Sequence, residues 1–225
     1  MDRVISKSFL LLSCLGVMVV CAFLPSAVWA QTPEGGFSEN FDSDDLEGWE
    51  RTPDAIIRDG VLHLTGGNFA FKLGDWGDQE TVIQMRINSN EGRLFIHYFA
   101  TDQGSYNLIF FPEAIVLEKA AGPDNVLNFA EVPNTLPRNS LVELVLRVEG
   151  GEHAITIDGE EIITAMDPDP FTSGGIGFNY EGLDNVEIES IRLTPLGEAN
   201  HAQPPINEEQ EPVQPTPIPL SLIHI

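Results

Sequence analysis

Glu187 and Glu189 stand two residues apart and are the best-placed carboxylate pair in this 225-residue chain. Residues i and i+2 of a strand share a face. Two carboxyls about 5 Å apart, one kept protonated, can act as nucleophile and general acid in glycoside cleavage. The bland alternative is a solvated outer face on the last strand. A second set, Arg86, His97, Tyr106 and Asn107 with Tyr98, mixes hydroxyl-bonding groups with rings that stack on a sugar. Trp76, in the polar glycine-rich stretch Gly74-Asp75-Trp76-Gly77-Asp78, reads as an exposed stacking platform, whereas Trp49 reads as core. Asp42, Asp44 and Asp184 offer oxygens to a structural Ca²⁺ if the first and last strands lie side by side. Turn formation by the same short side chains competes with that use. The sequence holds no His/Cys spacing for zinc, no phosphate-binding glycine loop and no Gly-x-Ser-x-Gly elbow.

These residues need a scaffold, and the chain supplies short strands. From Phe37 to Leu193, apolar runs recur about every ten residues with Gly, Asp or Pro between them. That spacing predicts an all-β sandwich or barrel. Residues 141–148 alternate most cleanly, with Val142, Leu144, Leu146 and Val148 on one side, and should form a central strand. Asp59-Gly60 is a strong hairpin turn. In the last strand Val186 and Ile188 fall out of phase with Ile191 and Leu193, which predicts a β-bulge near Ser190. No segment after residue 30 sustains a 3.6-residue apolar period, so little or no helix is expected. By alternation Arg86 and His97 oppose their apolar neighbours, and the polar members of the set are expected on one concave sheet.

The ends read differently. Arg3 and Lys7 precede an apolar run at 9–24, and Pro25 to Ala30 supplies a small-residue cleavage site, so residues 1–30 are expected to be a removed signal peptide. Both cysteines, Cys14 and Cys21, lie there, leaving the remainder without disulfide or thiol chemistry. A domain of about 160 residues can bury about 70 % of its unfolded surface and needs no such staple. Residues 197–219 are acidic and Pro-rich, the composition of an extended linker. The closing residues 220–225, LSLIHI, look like translated sequencing adapter, so further domains are expected beyond Pro219. The formal charge is −24; residues 1–30 carry +1, leaving −25 on the rest. Such a surface disfavours nucleic acid and anionic membrane.

Several motifs fall in a familiar order. Phe41-Asp42 with Leu46-Glu47-Gly48-Trp49, then Ile57 to Leu62, Leu94 to Tyr98, Ser105 to Leu108, Val116 to Lys119, Ile155 to Gly159, Gly174 to Phe178, and Leu183 to Val186 are similar to successive strands of one family. The chain resembles the concanavalin A-like lectin/glucanase jelly roll, in its laminin-G-like bacterial form, close to the 3-keto-disaccharide hydrolase domain. The resemblance covers residues 36–196 and implies a two-sheet antiparallel jelly-roll sandwich. His97 stands where that family often has arginine, and Glu187-Ile188-Glu189 lacks the third acid of the laminarinase-like pattern. The expectation is an exported, non-catalytic module that binds glycan or a cell-surface polymer. A glycoside-active enzyme of the 3-keto-disaccharide hydrolase type and a structural spacer are the alternatives.

Overall fold

The computed structural model describes residues 35–43, 46–88, 91–122 and 125–196. The expected signal peptide, the linker, the terminal hexapeptide and Asp44 lie outside those residues. Fifteen strands follow one another: β1 (Phe37–Glu39), β2 (Trp49–Arg51), β3 (Ile56–Arg58), β4 (Val61–Thr65), β5 (Asn68–Trp76), β6 (Gln79–Ile87), β7 (Arg93–Thr101), β8 (Gly104–Phe110), β9 (Ala114–Ala120), β10 (Val126–Pro133), β11 (Leu141–Glu149), β12 (Glu152–Ile157), β13 (Glu160–Met166), β14 (Gly174–Glu181) and β15 (Asn185–Pro195). No helix appears among the described residues.

The strands form two antiparallel sheets. The first runs β13-β12-β11-β6-β15-β4-β3, with β1 also paired to β15; the second runs β10-β9-β8-β7-β14-β5-β2. The chain passes repeatedly from one sheet to the other, as at β6 to β7 and β13 to β14, which is the jelly-roll winding. β11 lies between β6 and β12, and its four alternating apolar residues are all buried. Asp59-Gly60 and Asp158-Gly159 both take positive φ at two successive residues, the requirement of a tight type I′ hairpin, and so set the β3–β4 and β12–β13 registers. The pairing of β15 with β6 shifts between Ile188 and Ser190. That bulge returns Ile191 and Leu193 to the side of Val186 and Ile188, and all four are buried.

The facing surfaces are mainly apolar. Leu62, Leu64, Ile83, Met85, Leu144 and Ile188 from the first sheet meet Leu94, Ile96, Leu108, Leu117, Ile176 and Phe178 from the second. Trp49 belongs to this core and stacks on Phe178 at 6.2 Å and 18°.

One expectation fails at this level. Arg86 and His97 do not share a sheet, because β6 belongs to the first and β7 to the second. β6 is already flanked on both sides, by β11 and β15, so no edge remains for a hairpin with β7. The turn after Ile87 crosses between layers instead.

Candidate binding face

A single row of registered residues crosses the whole second sheet. Glu50 on β2 pairs with Phe71 on β5, Phe71 with Gly177 on β14, and Gly177 with His97 on β7. His97 pairs with Asn107 on β8, Asn107 with Glu118 on β9, and Glu118 with Asn128 on β10. Strand neighbours point to opposite faces, and the residues flanking this row, among them Ile96, Tyr106, Leu117 and Ile176, fill the core. The row therefore stands on the outer face. At about 4.8 Å per strand, Phe71 to Glu118 spans about 19 Å.

The row is aromatic at one end and polar at the other. Gly177 makes this possible: a Cβ there would lie 2.3 Å from Phe71 Cδ1, so the ring occupies the space that a side chain would take. Phe71 thereby reaches His97, with ring centroids 5.0 Å apart. In the adjacent row Phe95 lies parallel to His97 at 6.0 Å and 8°, and Phe69 meets Phe71 edge-on at 5.8 Å. Phe69, Phe71 and Phe95 are half-buried and keep exposed surface. The Arg93 guanidinium sits 5.7 Å from the Phe95 ring centre and ion-pairs with Glu181.

Hydrogen bonds run along the polar half. Asn107 Nδ2 donates to Glu118 Oε1 at 2.9 Å. Asn107 Oδ1 accepts from Ser105 Oγ at 2.7 Å and lies 2.7 Å from His97 Nδ1. An ionised carboxylate only accepts, so the amide nitrogen must face Glu118 and the amide oxygen must face His97. His97 then carries its proton on Nδ1, and Nε2 is the ring's acceptor. His97 and Asn107 are 8 % and 6 % exposed. Burial pushes the imidazole down to about 4, against the opposing pull of its bond to Asn107, so the ring is neutral at neutral pH.

Three of the candidate ligand residues do not join His97 and Asn107. Trp76 ends β5 rather than lying in a loop, is 5 % exposed, and packs on Phe37 at 5.0 Å. Its ring serves the core because β5 continues through Gly74 and turns the tryptophan inward. Tyr106 is fully buried, since it directly precedes Asn107 on one strand and the two cannot face the same way. Arg86 lies on the outer face of the first sheet. There its Nε is 3.3 Å from Glu187 Oε2, its Nη2 is 3.3 Å from Glu189 Oε1, and its Nη1 donates to Asn139 O at 2.8 Å. The guanidinium fills the space between the two carboxylates that a scissile bond would need. The Glu187 and Glu189 pair is an ion-pair clamp.

The proposed calcium ligands are also separated. β1 does pair with β15, at Phe37 to Leu193, but Asp184 precedes the other end of β15, where Asn185 pairs with Thr65. Asp42 lies by Gly60, at the opposite end of β4 from Thr65. Asp184 instead lines an open groove of about 600 Å³ with Ile56, His63, Leu183 and Asn185. Among the described residues no three His, Cys, Asp or Glu side chains gather as a metal site.

Alternation alone does not announce the polar cluster inside the sandwich. Lys119 shares the inward face of β9 with Ile115 and Leu117, and its Nζ donates to Asp167 Oδ2 at 2.9 Å. Tyr106 donates its hydroxyl to the same oxygen at 2.6 Å, and Phe171 N donates to Tyr106 at 3.1 Å. Burial works to raise the Asp167 carboxyl, but the bonds from Tyr106 and Lys119 outweigh it and hold the group low. Tyr106 itself is pushed up, first by burial and then by that bond. His153, 1 % exposed, meets the Tyr98 hydroxyl through Nδ1 at 3.0 Å. Burial lowers it to about 4, with Asp167 opposing and Lys119 assisting.

The fold is that of the galectin-like and concanavalin A-like jelly rolls. A scan against protein-family models finds no match, and neither does a search of curated proteins. Among solved structures the chain is similar to a carbohydrate binding module, CBM66, from Bacillus subtilis, at 15 % identity and TM-score 0.55, over 65 % of this chain and 95 % of that one. It is similar to a protein of unknown function with a galectin-like fold from Bacillus subtilis, at 14 % identity and TM-score 0.60, over 73 % and 97 %. A Bacillus licheniformis β-glucanase matches at 13 % identity and TM-score 0.59, over 71 % and 98 %. At these identities the likeness is one of fold.

Proposed function

We propose that this protein is a non-catalytic binding module for a glycan or cell-surface polymer, with the ligand lying along the row from Phe71 to Glu118. The observation that carries this reading is the register that places Phe71, His97, Asn107 and Glu118 side by side on an outer sheet face. Sugars present apolar C–H faces and hydroxyls together, and rings beside fixed acceptors suit both. A span of about 19 Å favours an oligomer over a single sugar ring. The similarity of fold to a carbohydrate binding module is consistent with this reading. The Arg86 clamp on Glu187 and Glu189 speaks against turnover at that pair. The reading extends to an exported chain, secreted through residues 1–30 and joined through the Pro-rich stretch to further domains.

The test is calorimetric titration of the full chain against a panel of soluble oligosaccharides, alongside an assay for released sugar. Phe71→Ala and Asn107→Ala are each expected to weaken binding about tenfold, while Arg86→Met leaves it unchanged. Binding that follows Arg86, sugar release abolished by Glu187→Gln, or no binding across the panel would each overturn the reading.

A further inference from the structure

Three features of the row point to the charge of its ligand. The first is the direction of its hydrogen bonds. Glu118 fixes Asn107, Asn107 fixes His97, and the ring is left with Nε2 as an acceptor. No hydrogen-bond partner for Nε2 occurs among the described residues, and it is not one of the sealed polar atoms of the interior. Glu50 and Glu118 at the two sides of the row also accept and do not donate. The second is charge. Arg93 is spent on Glu181, which leaves Glu50, Glu118 and Glu131 on this face without an ion-pair partner among the described residues. The third is the ring faces of Phe69, Phe71 and Phe95, which attract cations. The sheet already uses this attraction where Arg93 lies over Phe95 and Phe111.

We propose that the row selects a glycan bearing free primary amines over its N-acetylated or neutral counterpart. This rests on the glycan-binding reading above and names the ligand's chemistry. An ammonium group has three donors and no acceptor, the complement of the acceptors Glu50, His97 Nε2 and Glu118, and its bonds to carboxylate are charge-assisted. An N-acetyl group would turn a carbonyl oxygen toward the acceptors Glu118 and Nε2 and would remove the positive charge. A uronate or sulfate would meet like charge. The chain's net −24 adds long-range attraction for a polycation.

The experiment titrates the full chain with an oligomer of glucosamine, its fully N-acetylated form, a neutral β-glucan oligomer and oligolysine, at about 0.15 M salt. The glucosamine oligomer is expected to bind at least about tenfold tighter than the acetylated form and tighter than oligolysine. Glu118→Gln and, separately, Glu50→Gln should weaken it severalfold, while Glu152→Gln on the other sheet, with the same change in net charge, should not. Equal or tighter binding of the acetylated or neutral oligomer overturns the amine preference and leaves the glycan reading intact. Binding of no oligosaccharide overturns both. Oligolysine binding as tightly, with all three glutamate variants alike, reduces the effect to bulk charge and overturns the proposal.

Discussion

Asn107 gives its amide nitrogen to Glu118 and turns its amide oxygen to His97, so one carboxylate dictates the tautomer of a ring two strands away. The consequence is spectroscopic as well as functional. In ¹⁵N spectra His97 should appear neutral with its proton on Nδ1, and Glu118→Gln, which can donate as well as accept, should admit the other form. A native ring protonated on Nε2 would show that Glu118 does not set the tautomer.

Phe71 and Gly177 form a lock of ring over bare backbone. Gly177→Ala puts a methyl 2.3 Å from the ring carbon and is expected to cost about 2 kcal/mol, because the ring must swing away. Adding Phe71→Ala should recover most of that loss in urea unfolding. Costs that simply add in the double variant would show that the ring and the glycine are not coupled.

Acid should destabilise the chain through two imidazoles. His97 and His153 both sit near 4 when folded, against an ordinary 6.5. Between pH 6.5 and 4 the unfolded chain takes up protons that the folded chain refuses. Stability is therefore full above pH 6.5 and declines through that window, by on the order of 3 kcal/mol per ring. Asp167, held low, adds a loss in the same direction below the ordinary 3.8. Denaturant midpoints measured from pH 7.5 to 4 should fall less steeply in His97→Gln/His153→Gln. An unchanged slope would rule out these two rings as the cause.

Lys119 and Asp167 are an ion pair sealed inside the sandwich, at 8 % and 4 % side-chain exposure. Lys119→Met strands a buried carboxylate and should cost about 3–5 kcal/mol. Lys119→Met/Asp167→Asn should be less damaged than the single variant. A cost below about 1 kcal/mol for Lys119→Met would mean that water reaches the site.

Arg86 offers the contrasting case. Its pairs with Glu187 and Glu189 are about one-third exposed, so Arg86→Met should lower stability by less than about 1 kcal/mol. A melting point many degrees lower would show that the Asn139 contact matters more than the ion pairs.

The architecture was legible because period-two patterning and turn chemistry are local. Val142 to Val148, the Asp59-Gly60 turn and the phase slip near Ser190 each state their role within a few residues. The site was legible only in part. His97 and Asn107 could be paired from the short turn between β7 and β8. Phe71 could not join them, because β5 reaches β7 only through β14, about 80 residues further along the chain. Arg86 was misplaced for the same reason in reverse, since nearness in sequence suggested a hairpin that β11 and β15 had already excluded. Strand alternation alone would put Phe99 on the outer face with His97. A positive φ of 50° in an irregular stretch of β7 turns it against Tyr98 and Tyr106 instead.

Phe37 lies against Leu193, so the backbone enters and leaves the folded body at one corner of the first sheet. Pulling on both ends would load that corner alone. The three-residue β1 would peel from β15 before the load reached the second sheet, where Phe71 and His97 stand. The outer face carrying Phe71 and His97 would keep its geometry while the ends are under load.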